Sequence, residues 1–265
     1  MPSPSTIAPV ALFHRDLGGS GEPPIVLLHG MLGSSRNWQV AGRELAASRR
    51  VFALDMRNHG FSPHSGEMTY DAMAADVAAW LDANGIKSAE LVGHSMGGKV
   101  AMLLACRQPW RVGRLVVVDI APKGYHWPAY RQEYAAMNAI DLETLRSRAQ
   151  AEAQMESQVP EWSMRKFLTT NLERLDGGGW RWMVNLPVLS ASIAEFERNP
   201  IAEADRFDGP ALFIAGGRSR YVLPGDEATI LRHFPSARIE TIASSGHNPH
   251  IEARDAFVRA VTEAG

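Results

Sequence analysis

A serine flanked by small residues is the first chemically informative feature of the chain, in the pentapeptide Gly93-His94-Ser95-Met96-Gly97. The short, largely apolar run 89–92 precedes it, and the helix-like stretch 98–106 follows it. A strand, a sharp turn and a helix in this order are typical of a nucleophile elbow, which lifts the serine hydroxyl above a sheet edge. The glycines are required because the serine backbone is strained there and bulkier neighbours would collide. We therefore take Ser95 as the candidate nucleophile.

A serine hydroxyl becomes a good nucleophile only when a base takes its proton and a third group orients that base. In chains with this elbow the histidine comes last, after the final strand. The segment 244–250 follows the last predicted strand, which ends at Ile242, and contains two histidines. We assign His247 as the candidate base and expect His250 to pack or to lie at the surface.

The third group of such a site is an acid, usually in the loop after the penultimate strand. Here that loop, 216–222, carries Ser219 where an aspartate would be expected. Asp119 ends the strand after the elbow, directly behind three valines, where it would be shielded and close to an imidazole. We therefore predict Asp119 as the acid, with a loop-capping role as the alternative. Asp226 and Glu227 are the fallback, although both are expected to begin a helix, whose N-terminus favours acidic side chains.

The negative oxygen formed during acyl transfer needs donors that are already in place. The backbone amide of Met96, the residue after the nucleophile, would supply one. The amide of Met31 would supply the other, from the glycine-containing loop 28–33 that follows an early strand. This loop lacks the spacing of a phosphate-binding loop. No histidine has the paired spacing of a metal site, so we predict neither a metal nor a cofactor.

The surrounding pattern alternates short apolar runs with helical stretches. Strands are predicted at 10–17, 25–28, 51–54, 89–92, 114–119, 211–214 and 238–242, and helices at 38–47, 70–84, 98–106, 226–234 and 253–264. This alternation predicts an α/β fold with a mostly parallel central sheet flanked by helices on both faces.

The segment 123–208 interrupts that alternation with helix-like sequence. We predict that it is a helical cap inserted into a core formed by residues 1–122 and 209–265. Methionines and aromatic residues in the cap would either line an apolar acyl pocket or pack the cap on the core. The candidate tryptophans are Trp127, Trp162, Trp180 and Trp182.

Composition narrows the class of protein. The chain has 265 residues, 45% of them hydrophobic, a formal net charge of −2 and one cysteine. Near-neutral charge without a basic block argues against nucleic-acid and anionic-membrane partners. We find no signal-peptide pattern and no segment long enough to span a bilayer, so a cytoplasmic protein is expected. The oligomeric state cannot be read from these features.

Several motifs together resemble the α/β-hydrolase superfamily: 29–31, 55–62, 93–99 and 246–247. A narrower set resembles the YbfF-type bacterial esterases: 55–62, 93–99, 119–122 and 216–222. The resemblance implies the α/β-hydrolase fold and hydrolysis of esters and acyl-CoA thioesters. These esterases also lack an aspartate after the penultimate strand, which supports Asp119. Asn248 departs from the pattern, because similar proteins often carry an aromatic residue after the histidine.

The leading hypothesis is a serine hydrolase that cleaves small-molecule carboxylic esters, and acyl-CoA thioesters, through an acyl-enzyme. A carbon–carbon bond hydrolase and a cofactor-free perhydrolase or haloperoxidase remain open, since both can use the same triad. Dehalogenase and epoxide hydrolase chemistry is disfavoured because it needs an aspartate where Ser95 lies. A non-catalytic ligand-binding protein is the alternative from another class.

Overall fold

A seven-stranded sheet forms the centre of the computed structural model, which describes residues 8–263. The strands of the described chain are β1 (His14–Gly18), β2 (Ile25–Leu28), β3 (Val51–Leu54), β4 (Ala89–His94), β5 (Val112–Val118), β6 (Leu172–Arg174), β7 (Trp180–Trp182), β8 (Ala211–Gly216) and β9 (Ala237–Ile242). The central sheet has the order β1-β3-β2-β4-β5-β8-β9. Among the described strands of this central sheet, only β1 is antiparallel to its neighbour, and the other pairings are parallel.

Helices cover both faces of this sheet. The α-helices of the described chain are α1 (Gln39–Leu45), α2 (Tyr70–Ala83), α3 (Met96–Arg107), α4 (Pro128–Asn138), α5 (Arg148–Met155), α6 (Trp162–Thr169), α7 (Leu186–Ala191), α8 (Ile193–Glu197), α9 (Glu227–His233), α10 (Pro249–Glu252) and α11 (Arg254–Glu263). Strands β2, β4 and β8 are buried along their whole length, as expected of parallel strands covered on both faces. The predicted fold class is confirmed.

The predicted elements differ from the observed ones mainly at their ends. The first strand begins at His14 rather than at residue 10, and the strands of the elbow and after the cap extend to His94 and Gly216. Residues 1–7 and 264–265, which the predicted core segments and the final predicted helix include, lie outside the described residues. None of the helices within residues 8–263 has the length and apolar character needed to cross a membrane.

The segment 123–208 contains five of these helices and also a two-stranded antiparallel sheet, β6–β7. The prediction of a purely helical segment is therefore incomplete. Three consecutive glycines, 177–179, lie in the turn between these strands, and Gly178 and Gly179 have φ of +85° and +83°. Glycine adopts this left-handed conformation at no steric cost, so the glycine run permits the tight turn. The domain division itself remains a prediction.

A buried ion pair ties the loop after β3 to α2. The Arg57 guanidinium donates to both carboxylate oxygens of Asp76, at 2.6 Å from Nε and 2.7 Å from Nη2. The two side chains are 1% and 0% exposed. Asp76 also accepts a hydrogen bond from the Val10 amide, at 2.7 Å. This pair fixes a loop that also carries His59, whose Nε2 accepts the amide of Leu32 in the turn after β2.

We expect Asp76→Asn to lower the free energy of unfolding by about 3–5 kcal/mol, because it leaves the Arg57 charge buried without a counter-ion. Asp82→Asn is the matched control. Asp82 pairs with Arg111 at 2.6 Å but is 62% exposed, so its loss should cost less than about 1 kcal/mol. Urea unfolding followed by circular dichroism measures both, and equal losses in the two variants would contradict the argument.

Candidate active site

Ser95 lies in a strained turn between β4 and α3. Its backbone has φ 51° and ψ −115°, a conformation that side-chain-bearing residues rarely adopt. A Cβ atom at Gly93 would lie 2.3 Å from the carbonyl oxygen of Gly97, and one at Gly97 would lie 2.5 Å from that of Leu28. Both positions therefore require glycine, and the turn has the geometry of a nucleophile elbow.

Asp119 follows β5 and is completely buried. Its Oδ2 atom lies 2.7 Å from His247 Nδ1, and its Oδ1 atom accepts the Gly216 amide at 2.8 Å. The Ser219 hydroxyl also donates to Oδ2. Ser219, at the position where an aspartate was expected, thus helps to hold Asp119, which follows the neighbouring strand β5. Sequence reasoning missed this contact of Ser219, because no pattern in the chain pairs the two positions.

His247 lies in the loop between β9 and α10 and is held on several sides. The Tyr221 ring stacks on its imidazole with centroids 3.7 Å apart and planes 15° apart. His94 Nε2 donates to its backbone carbonyl at 2.8 Å. With Nδ1 donating to Asp119, the second nitrogen, Nε2, is left as the basic atom of the neutral ring.

Ser95 and His247 line one cavity of about 390 Å³. Among the hydrogen bonds of residues 8–263 there is none between the Ser95 hydroxyl and the His247 ring. Such contacts are often long in enzymes without substrate and tighten when substrate binds. The structure thus brings together all three predicted triad residues, Ser95, His247 and Asp119, at the same edge of the sheet.

The two predicted oxyanion donors lie beside Ser95. Met96 is the first residue of α3, where backbone amides have no partner within the helix and the helix dipole favours negative charge. Met31 lines the cavity in the turn after β2. Neighbouring amides of that turn are engaged, since Leu32 donates to His59 and Gly33 donates to Gly30. No such partner engages the Met31 amide among the described residues, and it remains available to a ligand.

Two buried histidines shape the turn that carries Met31. His29 Nδ1 donates to the Gly30 carbonyl at 2.7 Å, and its Nε2 accepts the Met56 amide at 2.9 Å. Burial lowers the pKa of His29, so the ring is neutral and can accept. His29 therefore shapes the loop through these two hydrogen bonds.

His59 completes this support from the loop after β3. Its Nδ1 donates to the Arg57 carbonyl at 2.9 Å, and its Nε2 accepts the Leu32 amide at 3.2 Å. Burial, together with the neighbouring His29, lowers the pKa of His59 to about 3. A protonated ring could not accept the amide, so neutrality is a condition for the loop geometry. Sequence reasoning gave His59 no role, since its contact with Leu32 joins separate loops.

Part of the cavity wall comes from the segment 123–208. It includes Tyr130, Glu133, Met164 and Phe167, whereas none of the four candidate tryptophans lines the cavity. Trp127 instead stacks on Tyr125, with centroids 5.1 Å apart. The structure therefore does not support the prediction that these tryptophans line the acyl pocket. Trp127 has the alternative role, packing.

The second histidine of the loop after β9, His250, does not join the triad. His250 is buried and packs against Trp38 with ring centroids 4.2 Å apart and planes tilted by 31°, the first of the two positions expected of it. Within residues 8–263, no three histidine, cysteine, aspartate or glutamate side chains are grouped so that they could hold a metal ion.

Comparison with known proteins places this geometry in a family. The α/β hydrolase fold family matches residues 23–254. The esterase YbfF of Escherichia coli (strain K12) is 41% identical over 241 residues, covering 90% of this chain and 91% of that protein. The sn-1-specific diacylglycerol lipase ABHD11 of Mus musculus is 39% identical over 267 residues, covering 97% and 85%.

A solved structure agrees with these relatives. A marine microorganism esterase superposes with a TM-score of 0.93 at 32% identity, over 97% of this chain and 100% of that one. The thioesterase domain from the curacin biosynthetic pathway, at 22% identity and a TM-score of 0.68, shares the fold alone. The chain belongs to the α/β hydrolase fold family, and its relatives there include proteins named as esterases and lipases.

Proposed function

We propose that this protein is a serine hydrolase that cleaves carboxylic esters through an acyl-enzyme intermediate. The observation that carries the proposal is the 2.7 Å contact between His247 and the buried Asp119, beside a serine in a strained elbow and facing one cavity. This arrangement contains a nucleophile, a base and a group that orients the base. The names of the esterase and lipase relatives point to the same chemistry.

In the first half of the reaction, Ser95 Oγ attacks the ester carbonyl carbon while His247 Nε2 takes the hydroxyl proton. Asp119 keeps the ring oriented and stabilises the imidazolium that forms. The Met31 and Met96 amides donate to the oxygen that becomes negative. When the tetrahedral intermediate collapses, the carbon–oxygen bond to the alcohol breaks and His247 returns its proton to the leaving alcohol.

In the second half, His247 removes a proton from water, and the resulting nucleophile attacks the acyl-Ser95 ester. Collapse of this intermediate breaks the bond to Ser95 Oγ, which regains its proton from His247. The products are the free carboxylic acid and the restored enzyme. No step needs a cofactor.

The cavity supports a small-molecule ester with an apolar acyl part. Its volume of about 390 Å³ lies in the ordinary range for small-ligand sites. Met31, Met164, Phe167 and Ile251 supply apolar walls. Thioesters have the same carbonyl geometry, so acyl-CoA hydrolysis is measured in the same experiment. It is not part of the proposal itself.

We expect Ser95→Ala to abolish turnover of nitrophenyl esters in a chain-length series while the protein stays folded, because the attacking atom is gone. Steady-state assays with the ester series and with acyl-CoAs measure this, beside circular dichroism. A serine-directed phosphonate should label the wild type at Ser95 and leave the variant unlabelled. Full activity in the variant, or no labelling of the wild type, would contradict the proposal, and the latter would favour a ligand-binding role.

Asp119→Asn should reduce kcat by about 10⁴-fold, since the amide disturbs the ring tautomer and removes the charge that stabilises the imidazolium. Ser219→Ala should cost only about tenfold, because Asp119 keeps its contacts with Gly216 and His247, and a single hydrogen bond to a charged group has a modest net value. Single-turnover acylation rates separate the two. The assignment of Asp119 fails if Ser219→Ala is the more damaging change.

His59→Phe should lower kcat about 10–100-fold with little change in KM, because the Leu32 amide loses its acceptor and the adjacent Met31 donor is no longer fixed. His59→Gln keeps an acceptor oxygen and should recover part of the loss. His126→Gln, at a side chain 76% exposed, is the control and should leave kcat unchanged. If His59→Phe raised KM alone, the positioning argument would be wrong.

A further inference from the structure

One carboxyl group in the cavity wall, that of Glu133, has no role in the proposed mechanism. Glu133 lies on α4 of the cap and lines the cavity that also contains Ser95 and His247. The residue is only 7% exposed. Its Oε2 atom is sealed from solvent and has no hydrogen-bond partner among residues 8–263. A buried polar atom of this kind costs free energy unless something pairs with it.

Within the described range 8–263, no cation forms an ion pair with this carboxyl group. Burial is the cause of its pKa shift and raises the pKa of Glu133 to about 7. Glu252, the other carboxylate in the cavity wall, does have hydrogen-bond partners. It accepts hydrogen bonds from the amides of Gly246 and Asn248 at 2.7 and 3.1 Å. Glu252 therefore has a structural task in the loop of His247, whereas Glu133 has none.

None of the ionisable groups around Glu133 in the described chain donates a hydrogen bond to its Oε2 atom. Those nearby are Tyr130 and Tyr134 on its own helix and Tyr221 in the loop after β8. Burial raises the pKa of all three, and the Glu133 charge contributes to each shift. The neighbouring helix α5 carries Arg148, which donates to the Leu172 carbonyl, and Glu152, which pairs with Lys166. The neighbouring α7, Leu186–Ala191, has no ionisable side chain.

We propose that Glu133 is a specificity residue that accepts a hydrogen bond from a free hydroxyl group on the alcohol part of the substrate. This inference rests on the proposed ester hydrolysis and names the substrate class of the same site. A site that pairs with a substrate hydroxyl rejects the analogue lacking it, because its own buried polar group is then left unpaired.

A neutral hydroxyl fits this wall better than an ammonium group. The other cap residues Tyr130, Met164 and Phe167 give the cavity apolar and aromatic surface, and desolvating a cation against such surface would cost far more than desolvating a hydroxyl. A carboxyl with a pKa near 7 is also only partly ionised at neutral pH, so it offers no constant counter-charge. A hydroxyl group can donate a hydrogen bond to Glu133 whether its carboxyl group is ionised or protonated.

The test compares 2-hydroxyethyl butyrate with propyl butyrate, two esters of equal heavy-atom count that differ in the terminal hydroxyl. The ratio of their kcat/KM values cancels any effect common to both, including titration of the triad. Glu133→Leu should lower this ratio about 10–100-fold, the value expected for one hydrogen bond to a charged group. Hydrolysis of propyl butyrate should be retained or raised, which also shows that the variant is folded.

Two further variants sharpen the comparison. Glu133→Gln keeps a carbonyl acceptor and should retain part of the preference for the hydroxyl ester. Glu143→Gln makes the same chemical change at an exposed position of the cap and should leave the ratio at the wild-type value. In the wild type the ratio should rise from pH 6 to pH 8, as the carboxyl loses its proton and becomes a stronger acceptor. It should be flat in Glu133→Gln.

An unchanged ratio in Glu133→Leu, with both esters hydrolysed, would overturn the inference and leave the proposed function intact. Hydrolysis of neither ester by wild-type protein that a phosphonate also fails to label would mean that the proposed function itself has failed. The ester 2-(dimethylamino)ethyl butyrate tests the class of donor. If it were preferred over the hydroxyl ester in a Glu133-dependent manner, the assignment to a hydroxyl would be wrong.

Discussion

The hydrogen bonding of one buried carboxylate, Asp119, connects the parts of the candidate site. A carboxylate removed from water is tolerated only when donors replace its hydration. Two segments distant from Asp119 in the chain supply them: the end of β8 with its following loop, through the Gly216 amide and the Ser219 hydroxyl, and the loop after β9, through the His247 ring. Satisfying this group therefore ties these two loops to the one after β5, at the carboxyl ends of parallel strands, where ligand sites form in α/β folds.

Because the acid, Asp119, follows β5, the loop after β8 does not have to supply it. That loop still contributes the Ser219 hydroxyl to Asp119, and it also brings the Tyr221 ring onto His247. The two contacts restrict different motions of the imidazole. The hydrogen bond at Nδ1 sets the direction in which Nε2 points, and the stacked ring sets the tilt of the imidazole plane. A base constrained in both ways needs little reorganisation when substrate arrives.

Patterns that depend on local chemistry could be read from the sequence. Strands β2 and β3 have the predicted bounds because strands within a covered sheet are continuous apolar runs. The strained turn at Ser95 was expected from its glycines. The role of Ser219 was not, since a hydroxyl donor is recognised only when its acceptor on another strand is known. Glu133 reads as an ordinary polar residue of an amphipathic helix, and only the packing of the cap makes it a buried wall.

Core and cap therefore constrain the site by different means. The groups assigned to the chemistry are largely backbone amides and side chains locked by buried hydrogen bonds, so few substitutions there leave the geometry intact. The cap contributes side chains alone, from α4 and α6, and these can change without disturbing the elbow. An apolar cap wall distinguishes substrates by size, and a methylene group is worth about 1–3 kcal/mol in such a pocket. A single buried acceptor in that wall distinguishes them by chemical type, because a substrate lacking the matching donor leaves it unpaired.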